Sequence, residues 1–347
     1  MIEVVERTLL WGRRPLYFVK GDKLLGYIGF GVIDRGTNVL QVRPTTICPL
    51  SCIFCSVDAG PLSINRWAEF IVGLEGLLNT VDIVARYKET SIEALIDTIG
   101  EALTYPWITR LIKELKTRPY VSSVALETHG ALLTRKTIDR LDDAGLDRIN
   151  LSIDTLNPEK ARFLQGTPWY NVKRVMEMAE YLVRETNIDL HVTPVWIPGV
   201  NDDDVVQVIK WAIRIGAGKR WPPVTIQKYN AHKYGRKLPG VKPLSWRCFW
   251  EKIEELEARL GVKLRWSLEE WGMRKARRYP APFKKGDRVY AKVLSRGVFR
   301  GEYIGVTMGK EWLITLRRGR LKPGDIVAAY VTEDQDGLLI GRTIGRL

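Results

Sequence analysis

The 347 residues carry a formal net charge of +14, with 45% apolar and 27% charged side chains. That is the balance of a globular chain with room for two or three domains and at least one sizeable core. It excludes the low-hydrophobicity disordered class, and no run approaches the roughly 18 apolar residues of a membrane-spanning helix.

The first residues, Met1–Lys23, set acidic side chains ahead of a broken apolar stretch and show no small-residue cleavage site, so the expected location is the cytoplasm. The excess of cations fits either a polyanionic partner or a generally basic surface. Scarce Asn and Gln beside abundant Arg, Lys and Glu suit a thermophile.

In chain order, residues 1–43 alternate short β-like runs (Leu16–Val19, Leu25–Ile28, Val39–Val42) with Gly-Asp and Arg-Gly turns and read as hairpins leading into a first buried strand. A loop broken by Pro44, Pro49 and Pro61 follows. The pattern then alternates: strand Ser91–Asp97, helix Thr109–Lys116, strand Val121–Glu127, helix Arg135–Ala144, strand Arg148–Ile153 and helix Tyr170–Glu185. Strand Leu190–Trp196, helix Asp203–Ile215, strand Val224–Gln227, helix Trp246–Leu260 and strand Val262–Trp266 complete it. Repeated βα units imply a parallel sheet, open or curled into a barrel. After a linker at Tyr279–Pro282, five short strands are expected at Asp287–Leu294, Gly301–Thr307, Glu311–Thr315, Ile326–Val331 and Leu338–Thr343, the texture of a small all-β barrel. The expected domains are therefore an N-terminal β extension at 1–43, an α/β core at 44–278 and a β-barrel at 283–347.

Three of the four cysteines, Cys48, Cys52 and Cys55, form a C-x3-C-x2-C loop. Clustered thiols in an intracellular chain point to metal or catalysis rather than disulfides. Three thiolates can ligate three corners of a [4Fe-4S] cubane and leave the fourth iron open to substrate. The competing reading is a Cys3His zinc site completed by His129 or His191, although such sites favour two separated pairs. Phe54 is either apolar packing or a face for a bound ring. Cys248, near the start of a helix, reads as a buried small residue ahead of a nucleophile.

The triplet, with an aromatic before its last cysteine, resembles the radical SAM superfamily, and the resemblance covers roughly residues 38–265. It implies a partial (β/α)6 barrel of TIM type, a [4Fe-4S] cluster, S-adenosylmethionine as the molecule reductively cleaved, and an electron donor such as ferredoxin or flavodoxin. Further segments match the family in order. Ile99-Gly100-Glu101-Ala102 resembles its Gly-Gly-Glu-Pro, which implies that Glu101 receives the amino group of S-adenosylmethionine. Thr128-His129-Gly130 resembles the end of its third strand, with His in place of Asn. Ser152 and Asp154 fall where ribose or substrate is reached, and Ile197, Gly199 and Asn201 fall in the loop that meets the adenine. Arg162 is placed to pair with the carboxylate of S-adenosylmethionine, or is simply solvated. In order and spacing these segments closely resemble the subgroup that includes the molybdenum-cofactor cyclase and its relatives. The lone Cys248 leaves no ligands for a second cluster within this chain.

Residues 283–347 resemble a TRAM domain, a small barrel found on RNA-modifying enzymes. That resemblance makes RNA the expected partner, with Arg274, Lys275, Arg277, Arg278, Lys284, Lys285, Arg288, Arg317 and Arg318 as phosphate contacts. Tyr290, Phe299, Tyr303 and Trp312 are stacking candidates or barrel core. The resulting expectation is a single-cluster radical SAM enzyme, a transferase or oxidoreductase, modifying RNA, with tRNA ranked before rRNA. Two alternatives stay open: the same chemistry on a small molecule or peptide, and a zinc-containing RNA-binding protein.

Overall fold

The computed structural model describes residues 1–346. They divide into two compact units. The first takes Met1–Cys48, Ser63–Ser123 and the chain from Lys275 onward; the second takes Pro49–Leu62 and Val124–Arg274.

In the first unit β1 (Glu3–Leu10) and β2 (Arg14–Lys20) form an antiparallel hairpin, with an irregularity between Glu6 and Thr8. Strands β3 (Gly31–Asp34) and β4 (Val39–Arg43) pair antiparallel, and β5 (Glu69–Val72) lies parallel to β2. Helix α1 (Leu74–Lys88) follows, with Leu74, Leu77, Leu78, Val81, Val84 and Ala85 buried along one stripe. It ends at Glu89 in the left-handed region (φ 54°), and its last residue, Lys88, is buried with its ammonium 2.7 Å from Asp34 Oδ1. Strand β6 (Ile92–Ile96) pairs in parallel with β4, and α2 (Ile108–Lys116) leads out of it. The aromatic rings of Tyr17, Tyr27, Phe30 and Phe70 form the centre of this unit's core, with Tyr27–Phe30 centroids 4.9 Å apart and Phe30–Phe70 centroids 5.1 Å apart.

Strand β7 (Val121–Thr128) carries the chain into the second unit. There β7, β8 (Arg148–Leu151) and β9 (Asp189–Val192) pair in parallel in that order. Parallel neighbours need crossovers, and these are helical: α3 (Arg135–Asp143) between β7 and β8, α4 (Pro158–Leu164) and α5 (Val172–Glu185) between β8 and β9. Thr134, Asn157 and Asn171 cap the three helices through their side-chain oxygens. A short parallel pair, β10 (Val195–Trp196) with β11 (Gln227–Lys228), encloses α6 (Asp202–Arg214), and α7 (Trp246–Leu260) follows, capped by Ser245.

Two expected strands shrink or vanish here. Of Val224–Gln227, only Gln227 enters β11, while Val224 makes a single bridge to Val192. Val262–Trp266 is not a strand. The Glu257 carboxylate takes the N–H groups of Leu264 (2.6 Å) and Arg265 (2.9 Å), so the donors a ladder needs are spent locally.

Back in the first unit, β12 (Arg288–Arg296), β13 (Glu302–Thr307), β14 (Leu313–Arg317), β15 (Ile326–Glu333) and β16 (Ile340–Arg346) close a barrel in the order β12-β13-β14-β16-β15. Closure removes free edges. Leu25–Ile28, expected as a strand, is instead irregular chain bonded to this barrel. Leu313 N–H donates to Leu25 O (2.9 Å), Leu339 N–H to Gly26 O (3.1 Å), and Val298 N–H to the Tyr27 hydroxyl (2.8 Å). The stretch read as a linker is also held, since Tyr279 donates its N–H to Asp34 (2.8 Å) and stacks on Trp312 at 6.1 Å. Phe299, Tyr303 and Trp312 are buried, so of the four stacking candidates Tyr290 alone stands out, at 41% exposed.

Candidate functional site

The cysteine loop is pinned from the second unit. Ser51 N–H donates to Gln165 O (3.1 Å) and Ile53 N–H to Leu164 O (2.9 Å), laying the loop along the end of α4. The contact requires glycine at 166: φ is +53°, and a Cβ there would stand 2.2 Å from Ser51 O. Arg236 closes the other side. Its guanidinium donates to Cys52 O (2.8 Å) and Ala59 O (2.6 Å) and sits 2.8 Å from Asp58 Oδ1, while its own N–H reaches Cys55 O (2.9 Å). None of the three cysteines is in a disulfide; Cys48 and Cys52 are buried and Cys55 is half-buried. Cys55 Sγ accepts the Ala59 N–H at 3.3 Å, and Cys52 Sγ lies 2.7 Å from Gln165 Oε1.

Three thiols on one braced loop, none in a disulfide and one receiving an amide N–H, suit the donor chemistry of a [4Fe-4S] cluster with one iron left open. Among the described residues no three Cys, His, Asp or Glu side chains converge as a single-ion coordination sphere. A cubane asks for something else, one thiolate on each of three irons. His191, one candidate fourth ligand for zinc, is enclosed in β9 with Nδ1 2.6 Å from Pro222 O and its ring edge-on to Trp271 at 4.6 Å. Burial holds it down at about 4.

In the first unit the chain before Cys48 is braced by a buried charge network. Glu69 receives Arg14 (2.9 Å), Arg66 (3.3 Å) and the Thr46 hydroxyl (2.6 Å), and Arg66 also donates to Ile99 O. Burial raises the Glu69 carboxyl, and the two guanidiniums oppose that shift. The network ties Thr46-Ile47 to the Ile99–Ala102 turn, where Glu101 N–H donates to Ile47 O (2.8 Å). Gly100 is required by closeness alone, because a Cβ would lie 2.4 Å from Ile47 O and 2.5 Å from Thr46 O. Glu101 itself is buried and caps a 3-10 turn by accepting the Leu103 N–H.

The segments after β7, β8 and β10 meet at Asp154 in the second unit. Asp154 Oδ1 accepts Val195 N–H (2.8 Å) and Oδ2 the Gln165 amide (3.0 Å), while Asn201 donates to Asp154 O (3.0 Å) and Val195 O (2.9 Å). Asn201 Oδ1 in turn receives the Ile197 N–H (2.8 Å), shaping the loop through Gly199 (φ +75°). Burial pushes the Asp154 carboxyl up to about 6, against the lowering effect of the Val195 N–H. Both its oxygens accept hydrogen bonds that brace these segments.

Thr128 is buried with its hydroxyl accepting Gly130 N–H (3.0 Å), Ser152 N–H bonds to Thr128 O (2.9 Å), and half-buried His129 has its carbonyl held by the Tyr170 hydroxyl (3.1 Å). Phe54 is buried, and Arg162 stands exposed on α4. Cys248 is half-buried rather than buried.

Of the expected phosphate contacts, Arg274, Lys275, Lys284, Lys285, Arg288 and Arg318 are exposed. Arg277 pairs with Glu89 (3.2 Å), Arg278 with Asp336 (2.9 Å) and Arg317 with Glu302 (2.9 Å), which tempers their charge. Sequence reasoning missed Gln165, Arg236, Arg66 and Glu69. Glu69 alone carried a signal, a carboxylate inside the apolar run Ala68–Val72.

The family model described as the Radical SAM superfamily matches residues 42–212. An uncharacterized protein of Methanocaldococcus jannaschii is 31% identical over 96% of this chain and 81% of its own length. The GTP 3',8-cyclase of Alkaliphilus metalliredigens is 32% identical over 50% of this chain and 51% of that protein. That of Chlorobaculum tepidum is 26% identical over 65% of each. Among solved structures, the FeFe-hydrogenase maturase HydG from Carboxydothermus hydrogenoformans aligns with TM-score 0.52 at 16% identity, over 73% of this chain and 56% of that one. These alignments thus span about half to two thirds of the cyclases and of the maturase. The likeness to the maturase is one of fold, and it agrees with the α/β partial barrel expected of the core. The chain belongs to the radical SAM superfamily, whose enzymes work with a [4Fe-4S] cluster and S-adenosylmethionine.

Proposed function

We propose that this enzyme modifies a nucleoside in RNA, tRNA before rRNA, with its single cluster on Cys48, Cys52 and Cys55 and electrons from a ferredoxin or flavodoxin. The observation that carries the RNA reading is the basic five-stranded barrel, built into the same compact unit as the Glu101 turn rather than appended to it. Lys284, Lys285, Arg288 and Arg318 stand exposed there as phosphate contacts.

One-electron cleavage of S-adenosylmethionine is the chemistry the cluster supplies when bound. The chain's own residues supply position. Arg236 and the end of α4 hold the loop, and the Ala59 N–H on Cys55 Sγ tempers thiolate charge. Glu101 is the acceptor for the amino group of S-adenosylmethionine. The backbone from Ile197 to Asn201, held by the Asn201 and Asp154 bonds, faces the adenine, with Phe54 as an apolar neighbour. Thr128, His129, Ser152 and Arg162 complete the proposed contacts.

The test is nucleoside mass spectrometry of tRNA and rRNA from a deletion strain against wild type. Loss of one modified nucleoside is the expected result. An unchanged profile, together with 5′-deoxyadenosine formation on a small metabolite or peptide, would overturn the RNA reading.

A further inference from the structure

In the first unit the β1–β2 hairpin and the barrel enclose a cleft of about 420 Å3. That is within the roughly 300–1,000 Å3 of small-ligand sites. Its wall is aromatic and cationic: Trp67 meets Tyr303 edge to face at 5.2 Å, and the Arg296 guanidinium lies 5.0 Å from the Trp67 ring centre. Arg13 and Lys322, both exposed, place two more cations on its lining. A single carboxylate, Glu6, enters it beside the Tyr17 hydroxyl, to which it is hydrogen-bonded. Leu9, Pro15 and Pro323 supply apolar surface between these groups.

Each component answers to a different part of one ligand class. A guanidinium plane beside an indole offers a flat face to a base, with sequence-tolerant stacking. Two long cations match the phosphates on either side of it. A carboxylate accepts the N–H groups on a base edge, most fully the adjacent pair that guanine presents. An acidic peptide would satisfy the cations but would face Glu6 with like charge.

We propose that this cleft binds one unstacked nucleotide of single-stranded RNA, with the base against Arg296 and Trp67, its N–H edge at Glu6, and its phosphates on Arg13 and Lys322. The inference rests on the RNA reading above and adds to it a contact apart from the basic stretch at 274–288.

The test uses the full-length, cluster-loaded protein and a short labelled guanine-rich single-stranded RNA, read by fluorescence anisotropy over a salt series. An Arg13→Glu/Lys322→Glu variant should lose about tenfold or more in affinity. Its log Kd against log salt should flatten by about 1.4, two single-strand phosphate contacts at about 0.7 each. Glu6→Gln should leave that slope unchanged and compress the preference for guanine-rich over uracil-rich RNA. Melting temperature and iron content serve as folding controls.

Wild-type affinity and slope in the double variant, with the unmodified protein still retaining RNA, would overturn the cleft and leave the RNA reading standing. Loss of binding only in Lys284→Glu/Lys285→Glu would move the contact to the barrel face. No RNA retention by the unmodified protein at low salt would overturn both. Tighter binding of an acidic peptide than of RNA would also overturn the assignment.

Discussion

Replacing Arg236 by methionine keeps an unbranched stem of similar bulk and removes the guanidinium that reaches Cys52 O, Ala59 O and Asp58. Asp58 is 1% exposed and the Arg236 side chain 17%, so the pair sits largely out of water. Breaking such a pair from one side costs about 3–5 kcal/mol, and the partial exposure of Arg236 argues for about 3. The cost falls on the closed loop, and about 3 kcal/mol is about a hundredfold in the ratio of closed to open loop. After anaerobic reconstitution, iron should therefore pass to a strong chelator about a hundredfold faster from Arg236→Met than from wild type. Arg236→Lys should recover only part of the difference, because one ammonium cannot reach three acceptors in a fixed fork. If Arg236→Met yields its iron at the wild-type rate, the loop is not held by this clamp and the reasoning fails.

Cys52→Ala should neither take up a full cluster nor form 5′-deoxyadenosine; a brown, active Cys52→Ala protein would remove the basis for the cluster assignment. Gly100→Ala forces a methyl against Ile47 O and Thr46 O and should destabilise by about 1–3 kcal/mol, read as a lowered urea midpoint. The Asp154 carboxyl, raised to about 6 in the folded protein, binds its proton more tightly than in the unfolded chain. Its contribution therefore stabilises at low pH and is lost as pH rises from about 4 through about 6. In the iron-free protein Asp154→Asn should flatten that decline, and identical pH profiles for the two proteins would count against the buried setting of this carboxyl.

What the sequence revealed of the site was whatever chemistry packs closely along the chain. The cysteines lie within eight consecutive positions, and Ile197–Asn201 forms its own turn, with Asn201 bonding a residue four places back. Gln165 and Arg236 were invisible because their partners are remote: Arg236 meets the carbonyl of Cys52 across 184 positions, and neither residue belongs to a motif. Regular elements were legible where periodicity persists, as in Trp246–Leu260, which is helical at the expected bounds. Val262–Trp266 failed because a local carboxylate took its donors, and Leu25–Ile28 because its acceptors serve the barrel. Phe299, Tyr303 and Trp312 looked equally suited to stacking or to packing, and only tertiary structure separates them from Tyr290.

The bond between Val298 N–H and the Tyr27 hydroxyl joins residues 271 positions apart. For a chain made from its N-terminus, this has a consequence in time. Tyr27, Phe30 and the strands around them emerge some 271 positions before the barrel segment that covers them. Over that interval the first unit presents apolar surface and unmet backbone acceptors, the state most open to misassembly. Such long-range closure also slows folding, because chain entropy is lost before the contacts are gained. The barrel is thus the closing piece of the first unit, and a chain truncated before Lys284 would leave that unit unfinished rather than merely without an accessory module.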